Sequence, residues 1–264
     1  MGSTHPSVRR LRRLIAKRRE RWDEGVCVIE GPDLIEAALD SGVEFEALFV
    51  DAAAVERDAS SVLVERARRA HVRVVALAPG VLQRVADAQT PQPVLATVHF
   101  ALSELSALTV PGLVLVLDNV RDPGNAGTII RSADAAGAVA VVLSGDCVDP
   151  FNPKTLRASA GSVFHLPLVV APLESTLAHF AARGARTFAT VVRGGTSYRM
   201  ADLSGACVVV IGNEATGLDD EAVARCDEAL SIPMTGRSES LNAGVAASMI
   251  AFEALHQRSG TTSA

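Results

Sequence analysis

Nearly unbroken apolar runs punctuate the second part of the chain, at residues 113–117, 138–143, 163–170, 187–192 and 206–211. A strand that shows one face to water alternates apolar and polar residues. A run that is apolar throughout suits a strand covered on both faces, as in a parallel sheet. Helical patterns lie between these runs, and the strongest is the closing one, 240–256. There Leu241, Val245, Ser248, Met249, Phe252 and Leu255 fall on one stripe. The second part therefore reads as a parallel α/β domain.

The first part is a smaller α/β unit. Its strands are expected at 26–31, 47–50, 72–77 and 94–100, and its helices at 32–40, 60–70 and 79–86, before a Pro-Gln-Pro break at 91–93. The boundaries expected are 1–100 for this unit, 101–111 for a linker punctuated by Pro111-Gly112, and 112–264 for the larger domain. Ahead of the first strand, residues 9–21 carry eight basic residues and one acid, with Leu11, Leu14 and Ile15 at helical spacing. That pattern is a basic amphipathic helix, either a solvated face or a phosphate-contacting element.

The net charge of −5 argues against general affinity for nucleic acid, so any such affinity must be local. The cysteines, Cys27, Cys147, Cys207 and Cys226, form no Cys-x-x-Cys pair and have no histidine at ligand spacing, so no metal is expected. Cys207 and Cys226 sit among apolar neighbours as core fillers. No apolar run reaches the roughly 18 residues that span a bilayer, and no secretory signal opens the chain. A cytoplasmic protein without membrane partners is expected.

Three segments carry chemistry. In the first, a strand ends at Asp118, a Gly/Pro/Asn-rich loop follows, and a helix opens near Asn125. Ala126, Ile129, Ile130, Ala133 and Gly137 form its buried stripe, and Arg131 falls off it, free to face the crevice at the carboxyl edge of the sheet. No Gly-x-Gly-x-x-Gly or Walker pattern is present, which disfavours nicotinamide and nucleotide-triphosphate chemistry. In the second, Gly212 and Gly217 bracket Glu214 directly after a buried strand. Glu214 is expected to meet an arginine or to order the loop. In the third, Ser240 and Asn242 stand in the first turn of the last helix. The small residues Ala243, Gly244, Ala246 and Ala247 follow, permitting close packing against another backbone.

Together, Asn125 with Arg131, the Gly-x-Glu-x-x-Gly at 212–217, the Ile-Pro-Met at 232–234 and the Ser-Leu-Asn at 240–242 resemble, in order and spacing, the motifs of the SpoU/TrmH RNA 2′-O-ribose methyltransferases. The resemblance is dense over 113–255 and extends to two-domain ribosomal RNA enzymes such as the thiostrepton-resistance type. It implies a SPOUT domain with a deep trefoil knot, a homodimer with its active site near the interface, and S-adenosylmethionine as cofactor, held near Thr190, Gly212, Ile232 and Leu241. It also implies catalytic roles for Arg131, Asn125, Glu214, Ser240 and Asn242, with Glu214 paired to a basic residue. The first part is similar to the family's RNA substrate-binding domain, which resembles a ribosomal RNA-binding protein, through its basic helix and Val28-Ile29-Glu30-Gly31. The segment 154–161 resembles one whose basic residues lie by the active site, so Arg157 and Lys154 are expected to contact RNA, as are Arg12, Arg13, Arg18 and Arg19. The implied substrate is 23S rRNA. Transfer RNA, or RNA binding without catalysis, are the alternatives.

Overall fold

The computed structural model describes residues 1–52, 58–85, 92–109 and 112–261. Ala86, Pro91 and Pro111, at the ends of the expected short helix, the Pro-Gln-Pro break and the linker, lie outside them. The chain forms two compact units, Met1–Ala101 with Asp149–Phe164, and Leu102–Val148 with His165–Ala264. The excursion 149–164, which sequence placed in the larger domain, packs with the first unit.

In the first unit, helices α1 (Pro6–Ala16) and α2 (Arg18–Glu24) precede strand β1 (Val26–Glu30). Then come α3 (Pro32–Asp40), β2 (Phe45–Asp51), α4 (Asp58–Arg69), β3 (Val74–Leu77), a 3-10 turn at Leu82–Arg84 and β4 (Val94–His99). The four strands form one sheet in the order β1-β4-β2-β3, antiparallel except for β2 with β3. Val8, Leu11 and Leu14 of α1 pack onto it with Val26, Val28, Phe49, Val75 and Leu95.

The single basic helix expected over 9–21 is two helices, because Lys17 is extended (φ −123°, ψ 117°). Arg21 accounts for the break. Its Nη1 donates to the carbonyls of Leu14 (2.6 Å) and Ile15 (3.0 Å), closing the end of α1. Its Nη2 meets Asp149 Oδ2 at 2.7 Å, both side chains being only 3% exposed. Several other basic residues of this run are also engaged. Arg10 pairs with Glu24 and Glu46, Arg13 with Glu20, and Arg19 with Asp23. Arg12 donates to the Ser3 carbonyl, and Arg18 lies over the Trp22 ring.

In the second unit, β5 (Leu113–Asp118), α5 (Pro123–Ala135) and β6 (Ala140–Ser144) come first. After the excursion, which carries α6 (Pro153–Ser159), follow β7 (Leu168–Val170), α7 (Leu173–Ala181), β8 (Arg186–Thr190) and β9 (Thr196–Ser197). Then come β10 (Cys207–Ile211), α8 (Asp220–Ala224), β11 (Glu228–Ser231) and α9 (Ala243–Thr261). All strands pair in parallel in the order β7-β6-β5-β10-β8-β11-β9, which bears out the fully covered sheet. Val114, Val116, Val142 and Val208 meet Leu177 and Phe180 of α7, while Leu113, Leu115 and Leu117 are equally buried. The run 163–170 becomes a strand only from Leu168, because Ser162–Phe164 is a 3-10 turn within the excursion. The short strands β9, at the sheet edge, and β11 beside it carry too little apolar pattern to have been foreseen.

Two details of the helices differ from the sequence reading. Gly137 is exposed and left-handed (φ 67°), so it ends α5 instead of joining its buried stripe. On α9 the buried face is Ala247, Ile250, Ala251 and Ala254, while Val245 and Phe252 of the expected stripe stand exposed. The reason is close approach to α5. A Cβ on Gly244 would lie 3.1 Å from Thr128, and the Ser132 and Ser248 hydroxyls meet at 2.6 Å.

Breaking a buried ion pair leaves its other charge uncompensated, typically a cost of about 3–5 kcal/mol. Arg21→Ala is therefore expected to lower the unfolding free energy in urea by about that amount. A variant as stable as the parent would contradict the role given to Arg21.

Candidate active site

A cavity of about 300 Å³ opens at the carboxyl ends of β8, β10 and β11. Crevices at that edge of a parallel sheet, where strand order reverses, are the usual ligand sites of open α/β folds. Thr190, Gly212, Ile232 and Leu241, the four positions expected to hold a cofactor, all line it, as do Glu214 and Ser240. Much of the remaining wall is apolar, including Val191, Leu218, Leu230, Met234 and Ile250.

The loop after β10 is shaped by its glycines and by Asn213. A Cβ on Gly212 would sit 2.5 Å from the Gly217 carbonyl carbon and the Leu218 nitrogen, so only glycine fits where the loop folds back on itself. Asn213 Oδ1 accepts from the Ala215 nitrogen (2.9 Å) and its Nδ2 donates to the Asn119 carbonyl (2.8 Å), fastening the loop to the end of β5. Sequence reasoning passed over Asn213, although asparagine beside glycine is a recognised turn-former.

The three chemistry-bearing segments meet in one chain of hydrogen bonds. Asn125 Nδ2 donates to Glu214 Oε1 (3.0 Å), and Asn242 Nδ2 donates to Asn125 Oδ1 (2.7 Å). Asn242 Oδ1 in turn accepts from the Val245 nitrogen (3.2 Å), capping α9. The Glu214 carboxylate also accepts from the backbone nitrogens of Arg121 (3.2 Å) and Asp122 (3.1 Å). Of the two partners expected for Glu214, the loop-ordering one is observed, and these bonds go to amides instead of an arginine. Arg121 directs its guanidinium to Asp146 (3.0 Å).

Two helix starts differ from the sequence reading. Asp122 caps α5, accepting from the Asn125 nitrogen at 2.7 Å, with Pro123 opening the helix. The Asp-Pro pair signalled this start in the sequence. Ser240 and Asn242 both precede α9 instead of standing in its first turn, with Asn242 as its cap. Arg131 is exposed on α5, is not part of the cavity wall, and makes no hydrogen bond or ion pair among the described residues.

The other expected contact residues lie in the first unit. Lys154 is exposed, and Arg157 is half-buried beside Glu30. Burial pushes the Cys147, Cys207 and Cys226 thiols up to about 11, leaving them inert. No group of histidine, cysteine and carboxylate side chains suited to a metal occurs among the described residues. Nor is any helix there long and apolar enough to cross a membrane.

The fold and this cleft are those of an RNA methyltransferase, and the chain belongs to the SpoU rRNA Methylase family, whose profile matches residues 112–252. The profile of the MRM3-like substrate binding domain matches residues 5–96. A 23S rRNA (guanosine(2553)-2′-O)-methyltransferase, RlmP of Bacillus subtilis, is 34% identical over 89% of this chain and 90% of its own. A 23S rRNA (uridine(2479)-2′-O)-methyltransferase of Streptomyces viridochromogenes is 33% identical over 94% of this chain and 89% of its own. Among solved structures, the SpoU methyltransferase AviRb from Streptomyces viridochromogenes in complex with the cofactor AdoMet matches with a TM-score of 0.87 and 30% identity. That match covers 96% of this chain and 98% of AviRb.

Burial pushes the Glu214 carboxyl up, but the hydrogen bonds from Asn125 and from the loop backbone outweigh it and hold it below the usual carboxylate range. Its stabilising contribution is then fully present above the ordinary glutamate value of about 4.3 and is lost as pH falls through the lower folded value. The melting temperature of the parent minus that of Glu214→Gln is expected to be constant above about pH 5 and to shrink toward zero in stronger acid. A difference that grows on acidification would contradict this assignment.

Proposed function

We propose that this chain transfers the methyl group of S-adenosylmethionine to a ribose 2′-hydroxyl of 23S rRNA. The observation that carries the reading is the single cavity that gathers Thr190, Gly212, Ile232 and Leu241, beside the hydrogen-bond chain joining Glu214, Asn125 and Asn242. The residues fit the cofactor. The apolar wall suits an adenine ring, and the glycine-shaped loop offers backbone groups at close range. The choice of ribosomal RNA is supported by the two named relatives, which align over both units. They act on different nucleotides of that RNA, so the proposal is stated for 23S rRNA as a whole.

When bound, the cofactor supplies an electrophilic methyl on a sulfonium. The chain's own task is to set the hydroxyl in line with that methyl and to ease the loss of its proton. Alignment of an ideally oriented pair contributes about 7–11 kcal/mol. Arg131 is assigned to the hydroxyl. A guanidinium stays protonated in proteins, so it acts by its charge, stabilising the developing alkoxide while the adjoining RNA phosphate takes the proton. Asn125, Asn242 and Glu214 hold the loops that shape the cleft, and Ser240 at its wall orients the ribose. Lys154, Arg157, Arg12, Arg13, Arg18 and Arg19 serve the RNA backbone from the first unit, an electrostatic role suited to recognition by shape and phosphates. The protein works in the cytoplasm.

We infer further that the enzyme is a homodimer, with the knotted chain path that the family resemblance implies. Leu241, Val245 and Phe252, exposed on the last helix and the residues leading into it, supply an apolar surface for a second copy. Arg131, outside the cavity wall of its own chain, is then completed into a site near that interface.

Arg131→Ala is expected to bind S-adenosylmethionine within about twofold of the parent in titration calorimetry, yet to transfer no methyl to an unmodified 23S rRNA transcript. Retained turnover removes Arg131 from its role. In light scattering, the parent is expected at twice the chain mass and Val245→Asp/Phe252→Asp as a monomer. A monomeric parent refutes the dimer.

A further inference from the structure

The Val28-Ile29-Glu30-Gly31 turn finds its use in the excursion 149–164, which the structure builds into the first unit. Several contacts secure that excursion. Asp149 is ion-paired to buried Arg21, and its Oδ1 accepts from the Phe151 nitrogen (3.0 Å). The Phe151 ring stacks on Phe100 with centroids 3.9 Å apart, and Trp22 stands edge-on to both. At the far end a Cβ on Gly161 would lie 2.5 Å from Ala37 Cβ, so the segment lies directly against α3. Between these anchors, Glu30 faces Arg157, Oε2 to Nη1 at 3.4 Å. Glu30 is only 6% exposed in its side chain, while Arg157 keeps 33% open to solvent. The other Glu30 oxygen accepts from the Gln92 nitrogen (3.0 Å), which fixes the carboxylate in place.

We propose that Glu30 is a positioning residue for RNA: its buried carboxylate holds the Arg157 guanidinium at the surface of the first unit, on a segment anchored there by Arg21 and Asp149. This rests on the reading, given above, that Arg157 contacts an RNA phosphate. A free arginine loses rotamer entropy when it engages a phosphate, and a guanidinium already held by a fixed carboxylate has lost part of that entropy in folding. The pair has one open side, because Glu30 faces inward and Arg157 reaches solvent. The proposal has a sign that simple charge accounting lacks. Removing a negative charge next to an RNA-binding arginine tightens RNA binding if Glu30 acts only through its field. It weakens binding if Glu30 positions Arg157.

The test is filter binding of an unmodified 23S rRNA transcript to the full chain, across a salt series, for Glu30→Gln, Glu30→Asp, Arg157→Ala and the Glu30→Gln/Arg157→Ala double variant. Arg157→Ala is expected to weaken binding about tenfold and to make the salt slope shallower by about one. Glu30→Gln is expected to weaken it roughly fivefold, with S-adenosylmethionine affinity and kcat retained and KM for RNA raised. The double variant should be no weaker than Arg157→Ala alone, since the two residues act as a unit. Glu30→Asp, which keeps the charge but shortens the reach, should share the loss, and it carries the test if Glu30→Gln fails to fold. Unchanged or tighter binding by Glu30→Gln overturns the proposal, and so does a double variant in which the two losses add. If Arg157→Ala itself leaves affinity and slope unchanged, it is the phosphate-contact reading that fails.

Discussion

A carboxylate can only accept hydrogen bonds, and the arrangement of the active-site loops follows from that fact. Glu214 obliges Asn125 to present its amide NH2, which leaves the Asn125 carbonyl to accept from Asn242. Asn242 must then offer its own carbonyl to the first turn of α9. The polarity of the whole chain is set at its charged end, and no amide in it can be turned over without placing two donors or two acceptors face to face. Through these bonds the loop after β10, the start of α5 and the start of α9 are fixed together. Those are the parts that border the cavity or frame its edge. The Asn213 and Gly212 contacts serve the same purpose, shaping the loop that presents Glu214.

Close approach of helices is the second constraint on the catalytic unit. Gly244 lies against Thr128, and paired serine hydroxyls join α5 to α9, so α9 turns its small residues inward. The large apolar residues Val245 and Phe252 are left on the opposite side. An amphipathic stripe shows that a helix has an apolar face, but not whether its own chain or a second copy covers that face.

In the substrate-binding unit, charge is used mainly within the fold. The run of eight basic residues looks like a ready phosphate-binding strip. Yet Arg10 and Arg21 are committed to carboxylates, and Arg21 also closes α1 and anchors Asp149, while Arg13 and Arg19 make only exposed surface pairs. The excursion gives the unit, in Lys154 and Arg157, basic residues that come from far along the sequence.

Much of the architecture was legible in the sequence because its signals are local. The unbroken apolar run at Leu113–Asp118 marked a strand covered on both sides, and Pro32–Asp40 declared a helix through its starting proline and its periodicity. The candidate site residues were found by resemblance, and six of them, Thr190, Gly212, Glu214, Ile232, Ser240 and Leu241, line one cavity. What sequence could not decide was anything that depends on partners distant along the chain. That the Glu214 bonds go to amides, that Asn125 joins Asn242, that Arg21 pairs with Asp149 and that 149–164 joins the first unit are all tertiary outcomes. The physical reason is that apolar periodicity is written within a few residues of chain. The choice among partners for a buried polar group is made only when the groups able to satisfy it have been brought together by folding.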